Sequence, residues 1–72
     1  MLATVVLKRD VPEFGLQEGD VGAVVELHDG GGIEVEFVMG SGRTQALVTL
    51  SADDVRPFGP DDLLTARTIG VA

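Results

Sequence analysis

Catalysis needs a positioned nucleophile or an acid and a base of tuned strength, and this chain offers one histidine, His28, two serines, Ser41 and Ser51, and no cysteine or tyrosine. Ser41 falls in a predicted hairpin turn and Ser51 at a strand end, and neither follows the strand-turn-helix pattern of a nucleophile elbow. Their expected roles are turn chemistry and capping. His28 stands beside Asp29 at the mouth of a glycine turn, where a metal or a proton relay is conceivable. A single histidine does not furnish the three or four ligands of a zinc site, so it reads as a solvated strand-end residue. The acidic pairs Asp53-Asp54 and Asp61-Asp62 lack the Asp-x-Asp-x-Asp-Gly spacing of a calcium loop. No catalytic residue, metal or cofactor is expected, and the chain does not read as an enzyme.

Gly30-Gly31-Gly32 could suggest a phosphate cradle, which needs a strand, a spaced glycine loop and a helix N-terminus facing the anion. Here the glycines lead straight into an alternating strand and are flanked by Asp29 and Glu34. Gly40-Ser41-Gly42-Arg43 fails for the same reason, although Arg43 at its tip is the basic group best placed to meet an anion.

The elements that would position these residues come from 72 residues, enough for one small domain. Hydrophobic residues make up 44% of the chain, too many for disorder, and no apolar run approaches the ~20 residues of a membrane helix. Without cysteine the core must rest on packing or on a partner chain. Twelve acidic against five basic residues leave a net charge of -7, which repels phosphate backbones and disfavours nucleic acid. Met1 to Leu7 lack the basic start of a signal peptide, so a cytoplasmic location is expected, with no membrane association.

Between glycines and prolines the apolar residues recur at every second position, the strand period. Strands are predicted at Thr4 to Lys8, Val21 to His28 and Ile33 to Met39, in a fourth segment carrying Ala46, Val48 and Leu50, and at Val55 to Phe58. The long connection from Arg9 to Asp20 is expected to fold Val11, Phe14 and Leu16 back onto the core, with Phe14 as anchor. The inward faces read as Val21, Ala23, Val25 and Leu27, then Ile33, Val35, Phe37 and Met39. Parity demands an odd first hairpin loop, either Gly30 to Gly32 or His28 to Gly32, and an even second one, either Gly42-Arg43 or Gly40 to Arg43. Ser51 is placed to cap one helical turn before the last strand, where Pro57 requires an edge. Residues 1–58 thus read as an all-β, five-stranded SH3-like barrel, and residues 59–72 as a C-terminal tail, either a short helix starting at Pro60 or a loose segment.

The outward faces carry the functional signal. In either register Glu26 lies opposite Glu34 or Glu36, a like-charge pairing that costs a few tenths of a kcal/mol or so when screened by water and salt. A sharper reading makes Glu26, Glu34 and Glu36 an acidic strip that meets a basic protein. Beside it Val24, Val38 and Leu47 would share an apolar outer face, with Val38 opposite Leu47. Two occupants fit this patch: the chain's own Leu63, Leu64 and Ile69, or a second chain, including another copy.

The stretch Lys8-Arg9-Asp10-Val11-Pro12-Glu13-Phe14-Gly15-Leu16-Gln17-Glu18-Gly19-Asp20-Val21-Gly22-Ala23-Val24-Val25-Glu26 resembles the small bacterial proteins of the domain of unknown function 4926 family. Val35 to Val38, Ala46 to Leu50 and Asp54 to Pro57 agree with its later segments, so the resemblance covers about residues 4 to 58. It implies a stand-alone SH3-like barrel without assigned activity, at times encoded beside toxin or nuclease genes, and hence an inhibitor or antitoxin role; it carries over no functional residues. Gly19 to Glu26 is also similar to the KOW-type loop of ribosomal and transcription-factor barrels, but Glu13, Glu18, Asp20 and Glu26 oppose the basic character of those modules. The expected function is a small acidic protein-protein interaction module that regulates a basic protein such as a nuclease, with a KOW-type nucleic-acid module as the alternative.

Overall fold

The computed structural model describes residues 3–69; residues 1, 2 and 70–72, at the ends of the expected domain and tail, lie outside the described part. The architecture is all-β: strands β1 (Thr4–Leu7), β2 (Val21–Leu27), β3 (Gly32–Val38), β4 (Thr44–Ser51) and β5 (Val55–Pro57) form one antiparallel sheet in the order β4-β3-β2-β1-β5. Two 3₁₀ turns, Pro12–Phe14 and Ala52–Asp54, complete it, and the described residues contain no α-helix. Pro57 does lie on an edge strand, where its missing N–H breaks no ladder.

β3 and β4 obey the alternation read from sequence. Ile33, Val35 and Phe37 face Leu50, Val48 and Ala46 across the ladder, and all six are buried. Met39 is only half-buried, because β3 has ended at Val38. The first hairpin pairs Leu27 with Ile33, the wider of the two odd loops, and the second keeps the register of the Gly40 to Arg43 loop. That register sets Leu47 opposite Glu36 rather than Val38, and a shift near the turn pairs Val38 with Thr44.

β2 departs from expectation. Its inward residues are Gly22 and Val24, whereas Ala23, Val25 and Leu27 are exposed and Val21 is half-buried. Val24 lies opposite Val35 and Glu26 opposite Glu34, so two steps along β2 match one along β3, and Val25 is the extra residue of a β-bulge. Apolar residues occupy both faces of β2, and periodicity alone selects the wrong set. The core itself excludes a larger residue at position 22: a Cβ on Gly22 would come within 2.6 Å of Val35 Cγ1 and 2.8 Å of Phe37 Cε2. Glycine lets β2 pass directly beneath the two central side chains of β3.

The first connection is closed by backbone bonds from Leu7 N–H to the Asp20 carbonyl and from Gly19 N–H to the Leu7 carbonyl. Its anchors are Val11 and Leu16, buried to 2% and 4% exposure, rather than Phe14, which is 43% exposed. Val11 and Leu16 form a β-bridge across the Pro12–Phe14 turn, which turns both inward and sends Phe14 out to solvent. Ser51 caps the second turn as expected. Its hydroxyl accepts from Asp53 N–H while Asp54 accepts from Ser51 N–H, a complete capping box.

The described part of the tail, 59–69, contains a turn at Pro60 and no helix. Pro60 starts nothing helical because Asp62 turns back to accept from Gly59 N–H. The tail covers the side of β1 away from the main core. Val6 is buried there, and a shallow cleft joins it to Arg56, Phe58, Asp62 and Leu63. Farther along, residues 64–69 border a larger open cleft, about 550 Å³, with Leu16, Val21, Val38 and Met39. Leu63 and Leu64 themselves stay exposed, at 82% and 67%.

Candidate functional site

The outer face of the β2–β3–β4 region brings together most of the expected surface residues. Glu34 and Glu36 alternate along β3 on the side away from the core, and Val38 follows on that side. Glu26 stands directly opposite Glu34 on β2, while Leu47 lies opposite Glu36 on β4. The face therefore runs from an acidic end, Glu26 and Glu34, through Glu36 to an apolar end, where Val38 and Leu47 are 54% and 53% exposed. Val24 is not part of it: the bulge at Val25 turns Val24 into the core, at 7% exposure. The tail reaches Val38 from one side but does not bury it, and Leu47 lies outside the tail cleft.

The hydrogen bonds on this face are made by side chains. Thr44 Oγ1 donates to Glu36 Oε2 at 2.5 Å, and His28 Nε2 lies 3.1 Å from Glu34 Oε1. His28, the residue after β2, continues its pairing through an N–H bond to the Gly32 carbonyl and stands two positions beyond Glu26, which sets both side chains on one side, and the β2–β3 register adds Glu34. Their potential ligand atoms all lie within 4.8 Å of one another. His28, expected to be a lone solvated residue, thus belongs to a three-residue cluster. The signal was present in the Glu26-x-His28 spacing and the wider hairpin register, which together put Glu34 beside both.

Three of the five cations are committed elsewhere. Arg9 binds Asp54, Arg56 binds Asp62 through both oxygens, and Arg67 binds Asp20 while donating to the Gly15 carbonyl at 2.8 Å. Among the described residues only Lys8 and Arg43 of the five basic side chains form no ion pair. Hydrogen bonds from Arg56, aided by Gly59 N–H, draw the Asp62 carboxyl down to about 2. Arg9 and Ser51 N–H lower Asp54 in the same way. At Asp20 partial burial pushes the pKa upward, but Arg67, the Gln17 N–H and the Arg67 charge together outweigh it and hold the carboxyl below its ordinary value. Asp20 is therefore occupied by the chain's own arginine.

Comparison with the curated proteins and with the solved structures finds no significant match. The family described as Domain of unknown function (DUF4926) matches residues 1–57, the segment that holds all five strands. This chain belongs to that family.

Proposed function

We propose that the chain is a small SH3-like interaction module that docks a basic protein surface on the outer face formed by Glu26, Glu34, Glu36, Val38 and Leu47. The observation that carries this reading is the distribution of charge. Three of the five basic side chains are tied to aspartates elsewhere, while the glutamates of this face have no arginine or lysine paired with them among the described residues. Concentrated negative potential beside exposed apolar side chains suits a partner with lysine or arginine around an apolar centre, because charge guides the encounter and apolar contact prolongs it. The role that follows is regulation or inhibition of a basic protein, of which a nuclease is one example, in the cytoplasm and without catalysis by this chain.

The barrel reading is supported by the strand order, by the capped 3₁₀ turn leading into β5, by the bulge at Val25 and by the close approach of Val35 and Phe37 to Gly22. The test is a binding assay on the untagged protein at low and physiological salt, with the triple variant E26Q/E34Q/E36Q alongside. A basic protein that binds stoichiometrically, weakens with salt and is lost in the triple variant is the expected result. Nucleic acid recovered instead, or binding untouched by the triple variant, would overturn the reading. Leu47→Asp separates the apolar contribution: it should speed dissociation and leave the salt dependence in place.

A further inference from the structure

We propose that Glu26, His28 and Glu34 form a binding site for a divalent transition-metal ion of the zinc type. Its protein ligands are one carboxylate oxygen from each glutamate and a ring nitrogen of His28, with water in the remaining positions. The cluster is more than surface acidity, because an imidazole nitrogen stands with two carboxylates and all three donors converge within 4.8 Å. The backbone creates that convergence. Glu26 near the end of β2 and His28 just past it share one side by the two-residue strand period, and the ladder sets Glu34 directly across from Glu26.

Donors around a tetrahedral zinc lie about 3.3 Å apart for bonds near 2.0 Å, so no pair needs to close by more than about 1.5 Å. His28 and Glu34 already stand at 3.1 Å. Glu26 is exposed and makes no side-chain hydrogen bond among the described residues, so rotation about its own bonds can supply the closure. Charge favours the same outcome. Two facing carboxylates without an ion-paired arginine or lysine repel each other, and a dication with a neutral imidazole makes the site electrically neutral. The donor set also selects the metal. Calcium and magnesium take oxygen ligands, whereas zinc, cobalt, nickel and copper accept imidazole together with carboxylate.

The metal site does not rest on the protein-docking reading: it needs only the isolated chain, and an ion held by Glu26 and Glu34 competes with a basic partner for those two carboxylates. Zinc chloride is titrated into untagged protein, with the ring resonances of His28, the sole histidine, followed by NMR and the stoichiometry by calorimetry. The expected result is saturation at one zinc per chain with shifted His28 ring signals, and no such shift with calcium or magnesium. Glu26→Gln and Glu34→Gln should each weaken zinc binding by about tenfold or more, and His28→Gln at least as much, whereas Asp61→Asn should not. All three ligands are on the surface, so the variants fold. An unshifted His28 at millimolar zinc, equal responses to calcium, or wild-type affinity in both glutamate variants would overturn the site. If zinc binds and no basic partner does, only the docking proposal fails.

Discussion

Two regions of this small sheet use carboxylates in opposite ways. On the β1–β5 side and its loops, Asp20, Asp54 and Asp62 each accept from the backbone N–H three residues earlier, at Gln17, Ser51 and Gly59, and each also holds an arginine. A short side chain fixed at a turn becomes a rigid acceptor, and the arginine then joins that turn to another part of the chain. Two of these pairs, Arg9–Asp54 and Arg67–Asp20, join residues 45 and 47 positions apart. On the β2–β3–β4 face, Glu26, Glu34 and Glu36 are longer and their side chains make no hydrogen bond to the backbone among the described residues; Glu26 and Glu34 face each other, and Glu36 faces an exposed leucine. One set of acids serves as internal joints. The other set is tied only to His28 and Thr44 and holds no arginine or lysine among the described residues.

The largest effect expected from this contrast lies in packing. Leu7 is 1% exposed at the end of β1, opposite Val55 of β5, where it joins the core, and Leu7→Ala should cost about 2–5 kcal/mol in urea denaturation. Leu47→Ala, on the open face, should stay within about 0.5 kcal/mol of wild type. Comparable losses from the two would mean that the open face is structural after all.

The open face was easier to foresee than the joints. Strand positions, hairpin parity, the Ser51 cap and the edge placement of β5 follow from local rules, and Glu26 opposite Glu34 was one of two allowed registers. Inward residues of β3 and β4 were equally legible, because their alternation is clean. β2 was not, since Val21, Ala23 and Val25 compete with Val24 for the core and only contact with Val35 and Phe37 decides. Phe14 misled for a related reason: size suggests an anchor, but the turn geometry gives that place to Val11 and Leu16. The long-range arginine pairs leave no periodic trace, as nothing local to Arg67 points to Asp20.

Acid titration sharpens the comparison next. The Asp62 carboxyl sits at about 2 in the folded chain against an ordinary 3.8, so the folded state binds fewer protons between these values. Its stabilisation is complete above the ordinary value and is lost as pH falls through about 2; Asp20 and Asp54 are shifted in the same direction. Stability measured by denaturation should therefore fall from about pH 4 downward. Asp62→Asn should lower stability at neutral pH and flatten the acid limb. An unchanged acid limb in that variant would remove Asp62 from the explanation.

A smaller effect is expected at the tail. Arg67→Gln removes the contacts to Asp20 and Gly15, at a cost of about 1 kcal/mol or less for a pair with this much exposure. Hydrogen exchange should report it better than the midpoint does: the amides of Gln17, Gly19 and Asp20, hydrogen-bonded in the loop that Arg67 holds, should exchange faster while those of Val35 and Val48 keep their protection. Faster exchange throughout would show that the tail supports the whole sheet.

The smallest effect has the most informative sign. Exchanging an aspartate for asparagine at position 20, 54 or 62 removes a charge that an arginine opposes, and should destabilise. The chemically equivalent change in the triple variant E26Q/E34Q/E36Q removes charges that repel one another, and should stabilise by a few tenths of a kcal/mol at low salt. Salt screens exposed repulsion, so the gain should shrink as ionic strength rises. A stabilising triple variant that loses its partner would mean that this face retains its carboxylates at a cost to folding, for binding alone. A destabilising one would place Glu26, Glu34 and Glu36 with the aspartates, as joints of the fold.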